Sequence, residues 1–285
     1  LDTYLKEINP NAIKIGFDND SCFQLSRQVD RFKSEILSYS RLAYLYALLD
    51  APSRRLLFHC KLFPYFDIFI HGERGTGKTT LARYIHELTN AGSKFVTVSG
   101  AELKNPELLH SLLFGHVKGS FTGACSNRKG YVEEAMNGTL FIDDIHTLPP
   151  ASQQCLLTFL QERQYRRLGE SSMQNACLRV ITATNVPESY FHKVFEPDFL
   201  DRIRHTIFRI NPLRSCRNII LPMAKDVLQD MSTRTGINYK LSPGACQKLL
   251  AHDWPGNIRE LKAVVESSCF VAGLNSVVDS SFLRL

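Results

Sequence analysis

Short apolar runs recur through the middle of the chain, at Phe66–Ile70, Phe95–Val98, Thr139–Ile142, Val180–Ala183 and Thr206–Ile210. Each has the length of a buried strand and is too short for a buried helix. Between the runs the apolar period changes: Leu81, Tyr84, Ile85 and Leu88 recur at helical spacing, and Ser152 to Gln161 reads as another helix. Strands alternating with helices predict an α/β fold, a parallel sheet flanked by helices. Asn211-Pro212 breaks the pattern, and the segments beyond it, Ser215–Met231, Ser242–His252 and Asn257–Val271, read as helices only. Ser242 is a good helix cap with Pro243 at the first helical position. Upstream, Phe32, Ile36, Tyr39, Ala43, Tyr46 and Leu49 repeat at about 3.6 residues, which predicts a leading amphipathic helix packed on the core. The organisation predicted is an unassigned segment or linker over 1–30, an α/β subdomain over 31–210 and a small all-α subdomain over 211–285.

A chain of 285 residues, 44% hydrophobic and 22% charged, can bury one sizeable core plus a smaller one, and its composition excludes a disordered protein. The net charge of +6 is too mild to argue for direct DNA binding. Arg163, Arg166 and Arg167 form the one notable basic cluster, and follow the Ser152–Gln161 helix as cations that suit a helix end would. The 8 cysteines stand singly and the 9 histidines lack ligand spacing, so neither a zinc site nor a disulfide framework is expected. Reduced thiols in a cytoplasmic protein are the simplest reading. The run Leu42–Leu49 is too short to cross a bilayer, no signal peptide is evident, and Leu1 in place of an initiator Met reads as a fragment of a longer protein.

The chemistry begins where the first apolar run ends. Gly72-Glu73-Arg74-Gly75-Thr76-Gly77-Lys78-Thr79 fits G-x-x-x-x-G-K-[ST] between a strand and a helix, the context that this phosphate-binding loop requires. Its amides would lie at a helix N-terminus, which favours phosphate anions. Gly72, Gly75 and Gly77 let the backbone close around the oxygens, Lys78 would reach the β- and γ-phosphates of ATP, and Thr79, followed by Thr80, would hold Mg²⁺. Thr139–Ile142 ends in Asp143-Asp144, two carboxylates at a strand C-terminus, where open α/β sheets bind ligands. Asp143 is the expected metal partner and Asp144 the residue expected to position an attacking water.

Between these two motifs stands Gly119-Ser120-Phe121-Thr122-Gly123-Ala124, in which two glycines flank an aromatic and a hydroxyl. As physics it is either a flexible tip offering Phe121 and Thr122 to a partner, or an ordinary hairpin with Phe121 turned into the core. Leu113-Phe114-Gly115-His116 precedes it, and Gly138–Asp143, Ala183-Thr184-Asn185 and Trp254-Pro255-Gly256-Asn257-Ile258-Arg259-Glu260-Leu261-Lys262 follow in order. With these motifs, Phe66 to Val271 resembles the central AAA+ domain of the sigma-54-dependent bacterial enhancer-binding proteins, whose hallmark is a G-A-F-T-G-A loop. Ser120 is the one change inside the hexapeptide.

The resemblance implies a P-loop ATPase with a helical lid, in which residues 119–124 contact sigma-54 RNA polymerase holoenzyme and move with nucleotide state. It implies that Thr184 and Asn185 sense the γ-phosphate and that Arg259 reports nucleotide to the lid. Arg202 would be inserted into a neighbour's site, which implies a homo-oligomer, a hexameric ring by analogy. The region of Arg163–Arg167 would be a second surface loop near the ring's pore, and DNA would be reached through a domain absent from this chain. Three positions depart from the pattern: Asp144 replaces a water-orienting Glu, Ser99 an Asn that restrains it, and Glu196 the first of two inserted arginines. Two readings follow, an ATP-driven motor that remodels sigma-54 polymerase, and a nucleotide-gated regulator that assembles on ATP with weak turnover. A motor acting on another substrate, such as nucleic acid, fits less well, because the loop is so close to the family form.

Overall fold

All five apolar runs are strands in a computed structural model, which describes residues 40–63, 66–90 and 93–285. They are β1 (Ile68–Gly72), β2 (Phe95–Ser99), β3 (Thr139–Asp143), β4 (Arg179–Thr184) and β5 (Ile207–Ile210), all parallel, in the order β2-β3-β4-β1-β5. Every residue of β4 is buried, because helices cover both faces; such strands read as continuous apolar runs rather than alternating ones. The parallel register brings His71 beside Thr184 and Ser99 beside Asp143, so the ends of β1, β2, β3 and β4 share one edge of the sheet.

The chain enters through α1 (Ser40–Leu48) and α2 (Ala51–His59), the latter capped by Asp50, which accepts from the Ser53 amide at 2.8 Å. Leu48 and Asp50 then hydrogen-bond along β5 and cover that edge. The part of the leading apolar stripe that precedes Ser40 lies outside the described residues. The longer helices that follow in the α/β part are α3 (Lys78–Asn90), α4 (Pro106–Phe114), α5 (Pro150–Glu162) and α6 (Pro197–Ile203), with single-turn helices at Tyr131–Glu134 and Phe191–Val194. Leu81, Tyr84 and Ile85 of α3 are buried, as their spacing predicts.

The helical part comprises α7 (Ile220–Thr235), α8 (Pro243–Ala251) and α9 (Asn257–Ala272). The first of these starts at Ile220 rather than Ser215, after two short 3₁₀ turns. Pro222 gives the reason: in the first turn its missing N–H and its ring cost nothing, whereas a helix begun at Ser215 would place it against the carbonyl of Asn218. Ser242 caps α8 as expected, accepting from the Ala245 amide at 3.1 Å. Trp254, fully buried between α8 and α9, donates its indole N–H to the Leu249 carbonyl at 3.0 Å. Trp254→Ala is therefore expected to cost about 3–5 kcal/mol, measurable by denaturant unfolding. A loss below about 1 kcal/mol would mean that the lid does not fold around this side chain.

Candidate functional site

The loop after β1 has the shape of an anion cradle. Gly75 and Gly77 adopt φ of 78° and 97°, where only glycine is comfortable. Gly75 has a second reason to lack a side chain, because a Cβ there would stand 2.2 Å from the Gly256 carbonyl oxygen of the lid. The buried Thr76 hydroxyl donates to the Glu73 carbonyl at 2.8 Å and braces the turn. Lys78 opens α3 and folds back over the loop, its Nζ donating to the carbonyls of Gly72 and Glu73 at 2.9 and 3.1 Å. Burial pushes its pKa down, partly offset by Asp143 and Asp144, so a poorly solvated cation hangs over the amides. Arg74, Thr79 and Thr80 are exposed at the rim.

The carboxylates arrive from β3. Thr79 donates its hydroxyl to Asp143 Oδ2 at 3.3 Å, so the loop's hydroxyl and the strand-end carboxylate face one point. Hard oxygen donors from just these two residues, with room for water and phosphate oxygens, suit Mg²⁺, which rarely takes an all-protein cage. Among the described residues there is no cluster of three or more His, Cys, Asp or Glu able to hold a metal by itself. Asp144 sits in the left-handed region at φ 50°, its amide tied to Asp143 Oδ1 at 2.9 Å. Its carboxylate accepts from Asn185 Nδ2 at 3.2 Å. Thr184 accepts from the Val186 amide at 3.2 Å and lies 3.1 Å from His146 Nδ1. Burial lowers the His146 pKa, which favours a neutral ring beside the Thr184 hydroxyl.

The lid closes on the same loop. Arg259 donates its amide to the Gly75 carbonyl at 3.3 Å and leaves its side chain exposed, close enough to Lys78 to lower that amine's pKa further. Asn257, fully buried at φ 54°, accepts from the Leu213 amide at 2.7 Å and donates to Glu73 Oε2 and the Arg74 carbonyl at 3.1 and 3.0 Å. Arg214 clamps Glu73 with two bonds of 2.5 and 2.8 Å and holds that carboxyl below its usual range. Neither Asn257 nor Arg214 was among the candidate residues: Asn257 stands inside the Trp254–Lys262 motif with no role read for it, Arg214 lies in no motif, and both roles come from the lid folding back.

Residues 119–124 form the turn of a hairpin whose antiparallel strands are Gly115–His116 and Arg128–Lys129. Gly119 and Gly123 have φ of 83° and 102° with nothing within 4 Å of a would-be Cβ, so backbone conformation rather than crowding requires glycine there. The turn is closed by Gly119 N–H to the Ala124 carbonyl at 2.9 Å and Ala124 N–H to the Phe121 carbonyl at 3.0 Å. Phe121 is not turned into the core: it is 43% exposed, with one edge on the His116 ring. Thr122 is exposed beside it, whereas Ser120 Oγ is buried without a partner.

Residues 61–209 match the Sigma-54 interaction domain, and residues 214–284 the AAA+ ATPase lid domain. The chain belongs to the sigma-54-dependent transcriptional activator family. It is 38% identical over 242 residues to the sigma54-dependent transcriptional regulator SfnR of Pseudomonas fluorescens, a match covering 83% of this chain and 65% of that protein. It is 39% identical over 218 residues to the probable pathogenicity-locus regulator HrpR of Pseudomonas syringae pv. syringae, covering 74% and 69%. Among solved structures, NtrX from Brucella abortus in complex with ATP superposes with a TM-score of 0.70 at 26% identity, covering 82% of this chain and 55% of that one. The chain thus spans about two-thirds of these relatives or less. Among the described residues no helix is long and apolar enough to cross a membrane.

Against the pattern expected of a sigma-54 activator, the three departures resolve differently. Ser99 makes no bond to Asp144; its hydroxyl accepts from the Ala101 amide at 3.2 Å in a local turn. Asn185 holds the Asp144 carboxylate instead. Glu196 is exposed at the start of α6, where its backbone amide donates to Gln153. Arg202, expected to reach a neighbour, lies beyond the opposite end of β1 from the phosphate loop and donates to the Leu160 carbonyl at 2.5 Å. The basic cluster is not a solvated helix end, because Arg163 pairs with Asp67 and Arg167 with Glu133, leaving Arg166 exposed.

Proposed function

We propose that this chain is the nucleotide-driven module of a cytoplasmic transcriptional activator that remodels sigma-54 RNA polymerase holoenzyme through the Gly119–Ala124 loop. The observation that carries this reading is the loop itself, which presents Phe121 and Thr122 on two left-handed glycines in a chain with a complete phosphate cradle. The loop amides and Lys78 bind the phosphates of ATP, and Thr79 with Asp143 would hold Mg²⁺, which neutralises phosphate charge when bound. Asp144, kept in place by Asn185, orients the attacking water, and Arg202 from a second copy completes the site, so hydrolysis requires a ring, hexameric by analogy. Thr184 and Asn185 sense the γ-phosphate, and Arg259 with Asn257 links the loop to the lid. DNA is engaged by a part of the full protein outside this chain.

A continuous path supports the coupling. The Gly100 amide donates to the Asp143 carbonyl at 2.7 Å, the Leu103 carbonyl accepts from Ser152 of α5, and α4 then runs directly into the hairpin strand Gly115–His116. A shift of the carboxylates at the end of β3 is thereby transmitted to the base of the contact loop. The second reading, assembly on ATP with weak turnover, is favoured by Asp144, one methylene shorter than Glu, and by the carboxylate at position 196. Steady-state ATPase rate measured against protein concentration separates the two readings.

Thr122→Ala is expected to leave nucleotide binding unchanged and to eliminate sigma-54 capture in a pull-down with a transition-state analogue of ATP. The loop shares no hydrogen bond with the nucleotide cradle, so the two properties should separate. Equal capture by both proteins would refute the contact role.

A further inference from the structure

Asp144, on which the proposed hydrolysis depends, is supported differently on its two sides. Toward β2 the backbone ladder runs on to Ser99–Asp143, and the Gly100 amide donates to the Asp143 carbonyl at 2.7 Å. The packing there is so close that a Cβ at Gly100 would stand 2.5 Å from the Asp144 carbonyl oxygen. Toward β4 the ladder stops earlier, at Ile142–Thr182. Beyond that rung two side chains span the gap: Asp144 accepts from Asn185 Nδ2 at 3.2 Å, and His146 Nδ1 lies 3.1 Å from Thr184 Oγ1. Two consecutive residues at the end of β4 thus meet two residues of one turn.

That turn needs holding. At φ 50° Asp144 lies in the left-handed region, which a residue other than glycine keeps only where its surroundings enforce it. It opens a single 3₁₀ turn, Ile145–Thr147, closed by Thr147, whose amide and hydroxyl both donate to the Asp144 carbonyl at 3.0 and 2.9 Å. These bonds fix the shape of the turn but not its distance from β4. An aspartate makes that distance matter: one methylene shorter than glutamate, it has one torsion fewer with which to correct its reach, so the backbone at 144 decides where the carboxylate stands. His146 is suited to set that distance. Its anchor, Thr184, is fully buried and also accepts from the Val186 amide at 3.2 Å, and its neighbour Ile145 is fully buried in the core. Burial lowers the His146 pKa, with Lys78 and Lys104 acting the same way against the pull of Asp144 and Asp143. A neutral ring adds no charge between the carboxylates and the Lys78 amine, and so acts through its bond alone.

We infer that His146 is a positioning residue for Asp144: bonded through Nδ1 to Thr184 Oγ1, it fixes, beside Asn185, the turn that carries the water-orienting carboxylate. This rests on the reading of Asp144 as the residue that orients the attacking water. It also ties both residues assigned to phosphate sensing, Thr184 and Asn185, to that one turn, so that a displacement at the end of β4 moves the carboxylate through two parallel bonds.

Two measurements test it. One is steady-state ATP hydrolysis with kcat and KM separated, at protein concentrations where the specific rate no longer rises. The other is the affinity for ADP with aluminium fluoride and Mg²⁺, a mimic of the transferring phosphoryl group that reads the same geometry without turnover. His146→Ala should lower kcat about tenfold, the scale of one lost hydrogen bond, and weaken the aluminium fluoride complex by a similar factor. KM for ATP and the affinity for ADP alone should stay as they are. His146→Asn, whose amide stands as many bonds from the backbone as Nδ1, should recover most of both losses, and His146→Gln, whose amide lies one bond further out, should not. In an Asp144→Ala background His146→Ala should cost nothing more, because the bond acts only through that carboxylate. Unchanged kcat and aluminium fluoride affinity in His146→Ala overturn the proposal. A further loss in the Asp144→Ala background does so too, since it puts the ring on the reacting atoms, and a matching loss of ADP affinity marks a merely structural role. Should His146→Ala not fold, the Asn and Gln variants decide, and equal behaviour of the two removes His146 from the role. A wild type that binds ADP no more tightly with aluminium fluoride than without it would instead overturn the reading of Asp144 beneath.

Discussion

Lys78→Ala is expected to reduce ATP affinity by at least about a thousandfold, the scale of two charge-assisted hydrogen bonds worth roughly 2 kcal/mol each. The Nζ hangs over the cradle on two carbonyl oxygens of the loop itself, at 2.9 and 3.1 Å, and has no ion pair among the described residues. It is therefore free to move to a phosphate without breaking a strong contact, and no amide in the loop can replace its charge. The fold should not suffer. Burial disfavours the charged amine, as its lowered pKa shows, so removing it relieves a desolvation cost. Calorimetric titration with ATP and Mg²⁺, beside a thermal melt, checks both statements. Unchanged affinity would remove the phosphate-loop assignment, and a collapsed melt would make the variant uninformative about binding, in which case Lys78→Met is the measurement to use.

The second large effect concerns Asp144 and Asn185. Asp144→Ala should retain ATP binding and lose about a hundredfold or more in hydrolysis, because misplacing an attacking group by 1 Å costs on that order. Asn185→Ala should lose roughly ten- to a hundredfold, since the 3.2 Å bond from Nδ2 holds the carboxylate in place. The double variant should be no slower than Asp144→Ala alone, the mark of two residues acting as one unit. Ser99→Asn should change little, because the hydroxyl at this position serves a local turn and Asn185 already occupies the carboxylate. A gain from Ser99→Asn together with indifference to Asn185→Ala would reverse this assignment and restore position 99 as the restraining site.

Much of the molecule follows from short-range pattern. A buried parallel strand must be apolar throughout, so Phe95–Val98 or Thr139–Ile142 can be read without a partner in view. The cradle is equally local: glycines at 75 and 77, Lys78 and Thr79 are spaced by the backbone that they shape, and their positive φ values follow from composition. Gly119 and Gly123 belong to the same class, and so do Ser242 and Pro243 at the start of α8.

Tertiary structure decided which side chains meet across elements, and there the sequence offered donors and acceptors without their partners. Asn185 reads as a sensor of phosphate, and only the order β3-β4-β1 puts it within reach of Asp144. Arg163 reads as a helix-end cation, and only the approach of α5 to the start of β1 turns it onto Asp67. Arg214 lies in no motif and Asn257 sits in one without a role of its own, until the lid lays α9 against the loop and makes both of them partners of Glu73. Apolar burial depends on the average composition of a segment and survives shifts of a residue or two. A hydrogen bond or ion pair needs its two groups within about 3 to 4 Å, a distance that only the packed chain specifies.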